Sequence, residues 1–381
     1  MVIRRETSAV KKKGICLSLL QAIGVVSISL IVALVLLILP TMARAKNKKD
    51  TSADARQKAL QLFQKALAIS DIRAKDSQPF ALTGIIEIPS GHGKSATGNY
   101  SLLWAGPDRW REEIRFVNYS RVRVGGKDRY WQVRSTDFEP LPFLSLEGAL
   151  DYIGHLRHWA EPDSISGLQE LKFKDKKIAG AKTECAVLTE EHEIRVSRGV
   201  AKFKTTTTYC FNPSNGGLAS TSASASPPET IEYSDFVPFA GKAVPSTIVV
   251  AEDRAPIVQF HISQISPLGN EDPKMFVPPS SAEEWDSCDT ANLKKAEIIR
   301  QQVPIYPQVA RTSHIAGSVS VYAVIGADGL LHNMKVLVSP SVLLSQSAVD
   351  ALQGWHYQPA TCNGKPLANE TVLTIVYALG N

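Results

Sequence analysis

From Phe80 to Ile265 turn residues cut the chain into short β-rich runs, a pattern that commits most of its length to antiparallel sheet. The runs are Phe80 to Ile88, Tyr100 to Trp104, Arg111 to Val117, Arg121 to Val124 and Tyr130 to Val133. They resume with Leu171 to Lys174, Thr183 to Leu188, Glu193 to Val196, Ala201 to Phe211, Thr230 to Phe236, Val244 to Val250 and Pro256 to Ile265. Gly106-Pro107-Asp108, Gly125-Gly126-Lys127-Asp128 and Asn215-Gly216-Gly217 supply turns, where glycine takes positive φ without steric cost. Glu190 to Glu193 reads as a charged turn between strands. Ser220 to Pro228, rich in Ser, Ala and Pro, reads as an exposed loop.

Helical spacing interrupts this pattern twice. Ala59, Leu60, Leu62, Phe63, Ala66, Leu67 and Ile69 place an amphipathic helix over Ala55 to Ser70. Leu146, Ala149, Leu150, Ile153 and Leu156 place a second over Leu144 to Trp159. The expected class is α+β, with a curved antiparallel sheet or half-barrel carrying two helices over residues 57–266. Residues 267–292, with Pro273, Pro278 and Pro279, read as a linker to a last domain at 293–381.

The amino terminus carries a targeting signal. Arg4, Arg5 and Lys11 to Lys13 precede an apolar run from Ile15 to Leu39, and about 20 apolar residues suffice to cross a bilayer. The basic flank keeps that end cytoplasmic, so the rest of the chain is expected outside the cytoplasm. Ala43-Arg44-Ala45 behind Pro40 resembles a cleavage site, so residues 1–45 read either as a signal peptide or as a retained anchor, with 46–56 a polar tether. Four cysteines follow: Cys185, Cys210, Cys288 and Cys362. An even number in an oxidising compartment fits two disulfides. Cys185 with Cys210 and Cys288 with Cys362 would keep each pair local. Other connectivities, or free buried thiols, stay open.

The net charge of +5 is partly leader, and from Arg300 onward Arg300, Arg311, Lys335 and Lys365 face Asp328, Asp350 and Glu370. No basic stripe follows a phosphate backbone, so nucleic acid is not an expected partner. Enzyme signatures are wanting too. Gly93-Lys94-Ser95 lacks the glycine a P-loop needs at position 88, which is Ile88. His155 and His158 have no third ligand in a recognisable spacing. The chain is read as no enzyme, without cofactor or metal.

Val303-Pro304-Ile305-Tyr306-Pro307 leads into a short helix over Gln308 to Ser313. Gly317 to Ile325 and Leu330 to Val338 form a hairpin about Asp328-Gly329, read as a type I′ turn. Leu344, Ala348, Ala351, Leu352 and Trp355 mark a helix over Leu343 to Trp355, and Thr371 to Leu379 is a final strand. Such a unit, ordered helix, strand, strand, helix, strand, buries one sheet face and leaves a sheet edge open.

Tyr306-Pro307, Ala310-Arg311, Gly317-Ser318-Val319, Asp328-Gly329, Ala348 to Leu352, Trp355 to Ala360 and Asn363-Gly364, in that order, resemble the TonB carboxy-terminal domain. That resemblance implies a periplasmic protein, held in the inner membrane by residues 15–39 if the leader is kept. Its implied partners are TonB-dependent outer-membrane receptors, whose short peptide adds to a free strand edge. Carried onto this chain, Thr371, Leu373, Ile375 and Tyr377 would supply the edge, flanked by Tyr306, Gln308 and Arg311. Coupling to an inner-membrane proton-driven motor complex would be the family's further property. The family's membrane Ser-x-x-x-His pattern and its Pro-rich spacer are, however, missing here. The stretch from Tyr100 to Trp110, with its Pro107-Asp108-Arg109 turn, resembles the LolA-type lipoprotein-carrier fold. It implies an alternative role, a lipid or lipoprotein carrier lined by Leu102, Trp104, Phe203, Phe260 and Ile262. A filled core is the other reading of those residues.

Overall fold

The computed structural model describes residues 53–379, apart from 90–94, 127–128, 197–198, 225–227, 271, 287 and 289–292. The leader expected at 1–45 and the Gly93-Lys94 turn lie outside the described residues. Among those described, no helix is long and apolar enough to cross a membrane. Everything below belongs to the compact unit Asp54–Asn381.

Helix α1, which runs to residue 70, opens the unit. Five strands follow: β1 (Phe80–Pro89), β2 (Ser95–Gly106), β3 (Arg109–Arg115), β4 (Ser120–Gly125) and β5 (Arg129–Arg134). Then come α2 (Leu141–Leu150), α3 (Tyr152–Trp159) and α4 (Pro162–Ser166). Strands resume as β6 (Glu170–Ile178), β7 (Ala181–Val196), β8 (Gly199–Phe211), β9 (Leu218–Ala223), β10 (Glu229–Phe239), β11 (Lys242–Glu252) and β12 (Ala255–Pro267). With the short β13 (Glu283–Asp286) they make one antiparallel sheet of 13 strands, ordered β13-β5-β4-β3-β2-β1-β12-β11-β10-β9-β8-β7-β6. The sheet is open, with β13 and β6 at its ends. Alternate residues such as Tyr100, Leu102 and Trp104 on β2 turn one face toward the helices. There they close a single core with Phe63 of α1, Leu146 of α2 and Leu156 of α3.

The sequence reading and the structure part at several points. The one helix expected over Leu144 to Trp159 is two, hinged at Asp151, which ends α2 and precedes α3 at φ −84°, ψ 20°. Glu190 to Glu193 is not a turn, because β7 runs straight through it. Cross-strand partners on β8 neutralise its polar side chains: Lys202 lies 2.5 Å from Glu193 and Thr205 2.7 Å from His192. Ser220 to Ala223, expected in a loop, belongs to β9, whose Ser220 and Thr221 are buried. The stretch read as linker contains a 3₁₀ turn, Pro273–Phe276, and β13.

The remaining elements are β14 (Leu293–Lys294), β15 (Glu297–Arg300), α5 (Gln308–Thr312), β16 (Gly317–Ile325), β17 (Leu331–Val338), α6 (Val342–Leu352), β18 (His356–Gln358), β19 (Ala360–Cys362), β20 (Lys365–Leu367) and β21 (Asn369–Tyr377). The sheet β17-β16-β21 carries α6 on one face. Val319 and Val321 of β16, Leu344, Ala348 and Leu352 of α6, and Ile375 of β21 form a second core, separate from the first. The hairpin between β16 and β17 is not type I′, which needs positive φ at both central residues. Of Asp328 and Gly329 only the glycine has it, at +77°. A Cβ there would also lie 2.2 Å from the Tyr357 carbonyl oxygen, so glycine is required twice over. Both disulfides form as the local pairs, Cys185–Cys210 and Cys288–Cys362. The first joins residues directly opposite on β7 and β8.

Candidate partner-binding edge

Strand β21 pairs along its whole length with β16, from Asn369 opposite Ile325 to Tyr377 opposite Gly317. It is the last strand of its sheet, so its other edge has no strand partner among the described residues. Leu373, Ile375 and Tyr377 alternate toward the core beneath α6, and Val376 points away, 45% exposed. Thr371, on the Leu373 side, is partly exposed. The side chains expected to present the strand therefore anchor it. What the strand offers outward is its backbone.

Tyr306 closes the carboxyl end of β21. Its ring meets that of Tyr377 edge-on at 5.4 Å, and its hydroxyl donates to the Ile315 carbonyl at 2.6 Å. The Arg311 guanidinium lies 5.4 Å from the centre of the Tyr306 ring. Gln308 and Arg311 are exposed on α5, directly behind. The sequence-predicted flank is thus assembled at one end of the strand, with Tyr306 packed and the other two free to meet solvent.

The opposite end is fixed by residues that the sequence did not single out. The Glu370 carboxylate, 8% exposed, accepts from Arg134 Nη1 at 2.5 Å and from the Tyr322 hydroxyl, with Arg123 Nη2 3.8 Å away. Arg121, buried on β4, meets Glu112, Glu139 at 2.9 Å and Glu147 at 3.0 Å. Arg123 reaches Glu147 at 2.5 Å. Three arginines of β4 and β5 thereby bind carboxylates from β3, from α2 with the turn before it, and from β21. Burial pushes the Glu147 carboxyl up, but Arg123 and Arg121 outweigh it and hold it down at about 2. Burial likewise works against the Arg134 charge, and Glu370 overcomes it, so Arg134 is raised.

The residues expected to line a carrier cavity divide. Leu102, Trp104 and Phe260 are buried in the main core, and Ile262 packs against it. Leu102, Phe260 and Ile262 border an apolar cavity of about 50 Å³. Trp104 instead stacks on Phe80. Phe203 is not brought to them: it is 39% exposed on β8, stacked on His192.

Residues 302–379 match the family model described as Gram-negative bacterial TonB protein C-terminal. Protein TonB of Pseudomonas aeruginosa is 27% identical over 106 residues, which are 27% of this chain and 31% of that protein. The chain thus spans under a third of that relative. Among solved structures, the TonB carboxy-terminal domain of Pseudomonas aeruginosa is 26% identical, covering 23% of this chain and 90% of that one, with a TM-score of 0.21. A LolA superfamily protein from Nitrosomonas europaea is 14% identical, covering 57% of this chain and 97% of that one, with a TM-score of 0.34. The region that holds β16, β17, α6 and β21 is therefore the part of this chain that is similar to the TonB carboxy-terminal family.

Proposed function

We propose that the carboxy-terminal sheet binds an extended peptide of a TonB-dependent outer-membrane receptor by strand addition on β21, in the periplasm. The observation that carries this reading is a nine-residue strand paired on one edge only among the described residues, inside the region that matches the family. Main-chain hydrogen bonds along that edge supply the affinity, and Gln308 and Arg311 sit where they can meet the peptide's end. In this reading residues 1–45 deliver or anchor the chain, 46–56 tether it, 57–266 act as a folded spacer or second binding module, and 267–292 lead into the binding domain at 293–381. Coupling to an inner-membrane proton-driven motor would require the anchor to be kept.

The carrier alternative has less support. A cavity of about 50 Å³ has room for only a few waters, at about 10–15 Å³ of such space for each, so an acyl chain would need the core to open.

The test is a pull-down from detergent-solubilised envelope with the full chain as bait, beside Val376→Pro, which removes a backbone donor from β21. Receptors recovered by the native bait and lost with the proline, at unchanged circular dichroism, are the expected result. A synthetic receptor peptide N-methylated along one edge should also lose binding, whereas methylation of its other edge should spare it. Equal capture by both baits would rule strand addition out.

A further inference from the structure

The main sheet ends on one side in β6, whose outer edge has no strand partner among the described residues. From residue 171 to 183 the chain carries five lysines, Lys172, Lys174, Lys176, Lys177 and Lys182, against one acid, Asp175. Alternation puts Lys172, Lys174 and Lys176 on one face of the strand, about 13 Å from first to last, and Phe173 on the other, toward the helices. Lys204 of β8 shares the lysine face: it lies opposite Glu191, and Thr189, two residues earlier, lies opposite Glu170.

Some of these charges are met within the sheet. Lys172 is 2.6 Å from Glu170, and Lys182 is 2.9 Å from Asp175. Lys174, Lys176 and Lys204 have no carboxylate at ion-pair distance among the described residues, and Lys176 reaches only the Ser222 hydroxyl, at 3.5 Å. Burial, with the Lys174 charge beside it, lowers Lys176 from the ordinary lysine value, so positive charge is crowded here. Lysines on a free edge deter a further strand, which would account for those of β6. It does not account for Lys204, two strands in from the edge.

The start of α1 meets the same edge from the helix side. Lys58 pairs with Glu184 of β7 and sits 4.6 Å from the centre of the Phe173 ring. Arg56 donates to the Ile165 carbonyl at 2.8 Å and to the Ser166 carbonyl at 2.6 Å. Residues 40–53, 14 in all, join this helix to the end of the apolar run at Leu39, and 14 extended residues span at most ~50 Å. They add Arg44, Lys46, Lys48 and Lys49 against Asp50.

We propose that the face bearing Lys172, Lys174, Lys176 and Lys204 lies on an anionic phospholipid surface, that of the membrane holding the apolar run. A sheet of phosphate headgroups suits it, because ammonium groups need negative charge and acceptors but no shaped pocket. The short basic tether keeps the face within reach of that surface. The proposal takes the leader as kept and is independent of strand addition on β21.

The experiment is acetylation of the full chain, reconstituted in vesicles of phosphatidylcholine alone or with phosphatidylglycerol added, by a water-soluble amine reagent, with mass spectrometry following each lysine. With phosphatidylglycerol, Lys174, Lys176 and Lys204 should react at least about fivefold more slowly, the worth of one lysine at such a surface. Lys75, Lys274 and Lys365, exposed elsewhere, should react alike in both, and high salt should abolish the difference. Lys174→Gln, Lys176→Gln and Lys204→Gln together should release Lys172 to its rate on phosphatidylcholine, whereas Arg at the three positions should keep it protected. Gln at Lys75, Lys274 and Lys365 removes the same charge and should change nothing. Equal rates in the two vesicles, whether all fast or all slow because another chain covers the edge, overturn the proposal. So does protection of Lys172 that survives the triple Gln variant, and none of these outcomes bears on strand addition.

Discussion

Glu370 shows how much a single carboxylate can hold. It is an isolated acid in an otherwise β-rich run, and alternation alone would place it on a solvated face. Its partner Arg134 is 236 residues away in sequence, so no local pattern marks either. Removing one member of a buried, hydrogen-bonded ion group leaves the others uncompensated, at a cost of about 3–5 kcal/mol. Glu370→Ala should lower stability by that amount in denaturant unfolding, because Arg134 and Arg123 would keep their charges without this acceptor. Glu147 makes a pH prediction. Its folded pKa, about 2, lies below the ordinary carboxylate value, so its contribution is fully present above about pH 4.5 and fades as pH falls toward 2. The side chain is 42% exposed, so solvent screening makes that contribution smaller than the shift alone would give. Glu147→Gln should therefore flatten the loss of stability across that window, measured by melting at stepped pH.

Among the elements, legibility followed local chemistry. Gly317 to Ile325 was readable to the residue, because a bend-prone glycine and a β-branched alternation bound it. The one helix read over Leu144 to Trp159 became two, since periodicity reports which residues face the core and says little about a bend at Asp151. Strand β9 escaped because Ser and Ala signal loops locally, and its burial is supplied by β8 and β10. The flank of β21 was legible as a cluster, but the part Tyr306 plays was not. A tyrosine before proline can bind a partner or lock a turn, and the 2.6 Å bond to the Ile315 carbonyl shows that this one does the second. Tyr306→Phe should cost about 1 kcal/mol in stability, the net worth of that hydrogen bond. It should leave peptide affinity nearly unchanged by titration, since the ring stays against Tyr377.

At the scale of the molecule, two separate cores are joined by the arginine–carboxylate group and by the Cys288–Cys362 disulfide. Leu293 lies opposite Cys362 in the β14–β19 pair, so the bridge sits where the chain enters the smaller sheet. Closing a loop with a sequence separation of 74 residues stabilises by about 4–5 kcal/mol in the chain-entropy picture. Cys288→Ser with Cys362→Ser should lose that much, and reducing agent should bring the native chain toward the same melting curve.

The bridge also sets the covalent route out of β21. Traced backward, the backbone runs from Asn369 through the short β20 and β19 to Cys362, then crosses the sulfurs to Cys288, two residues beyond β13. The polypeptide between the two cysteines, with α6 and the β16–β17 hairpin, is a side loop hung on that route. Any tension on β21 would thus have a bonded path into the main sheet that bypasses the very domain the strand belongs to. A single protease cut within the loop should leave one band on a non-reducing gel and two after reduction. The strand that would bear the load stays fastened even when the structure around it is severed.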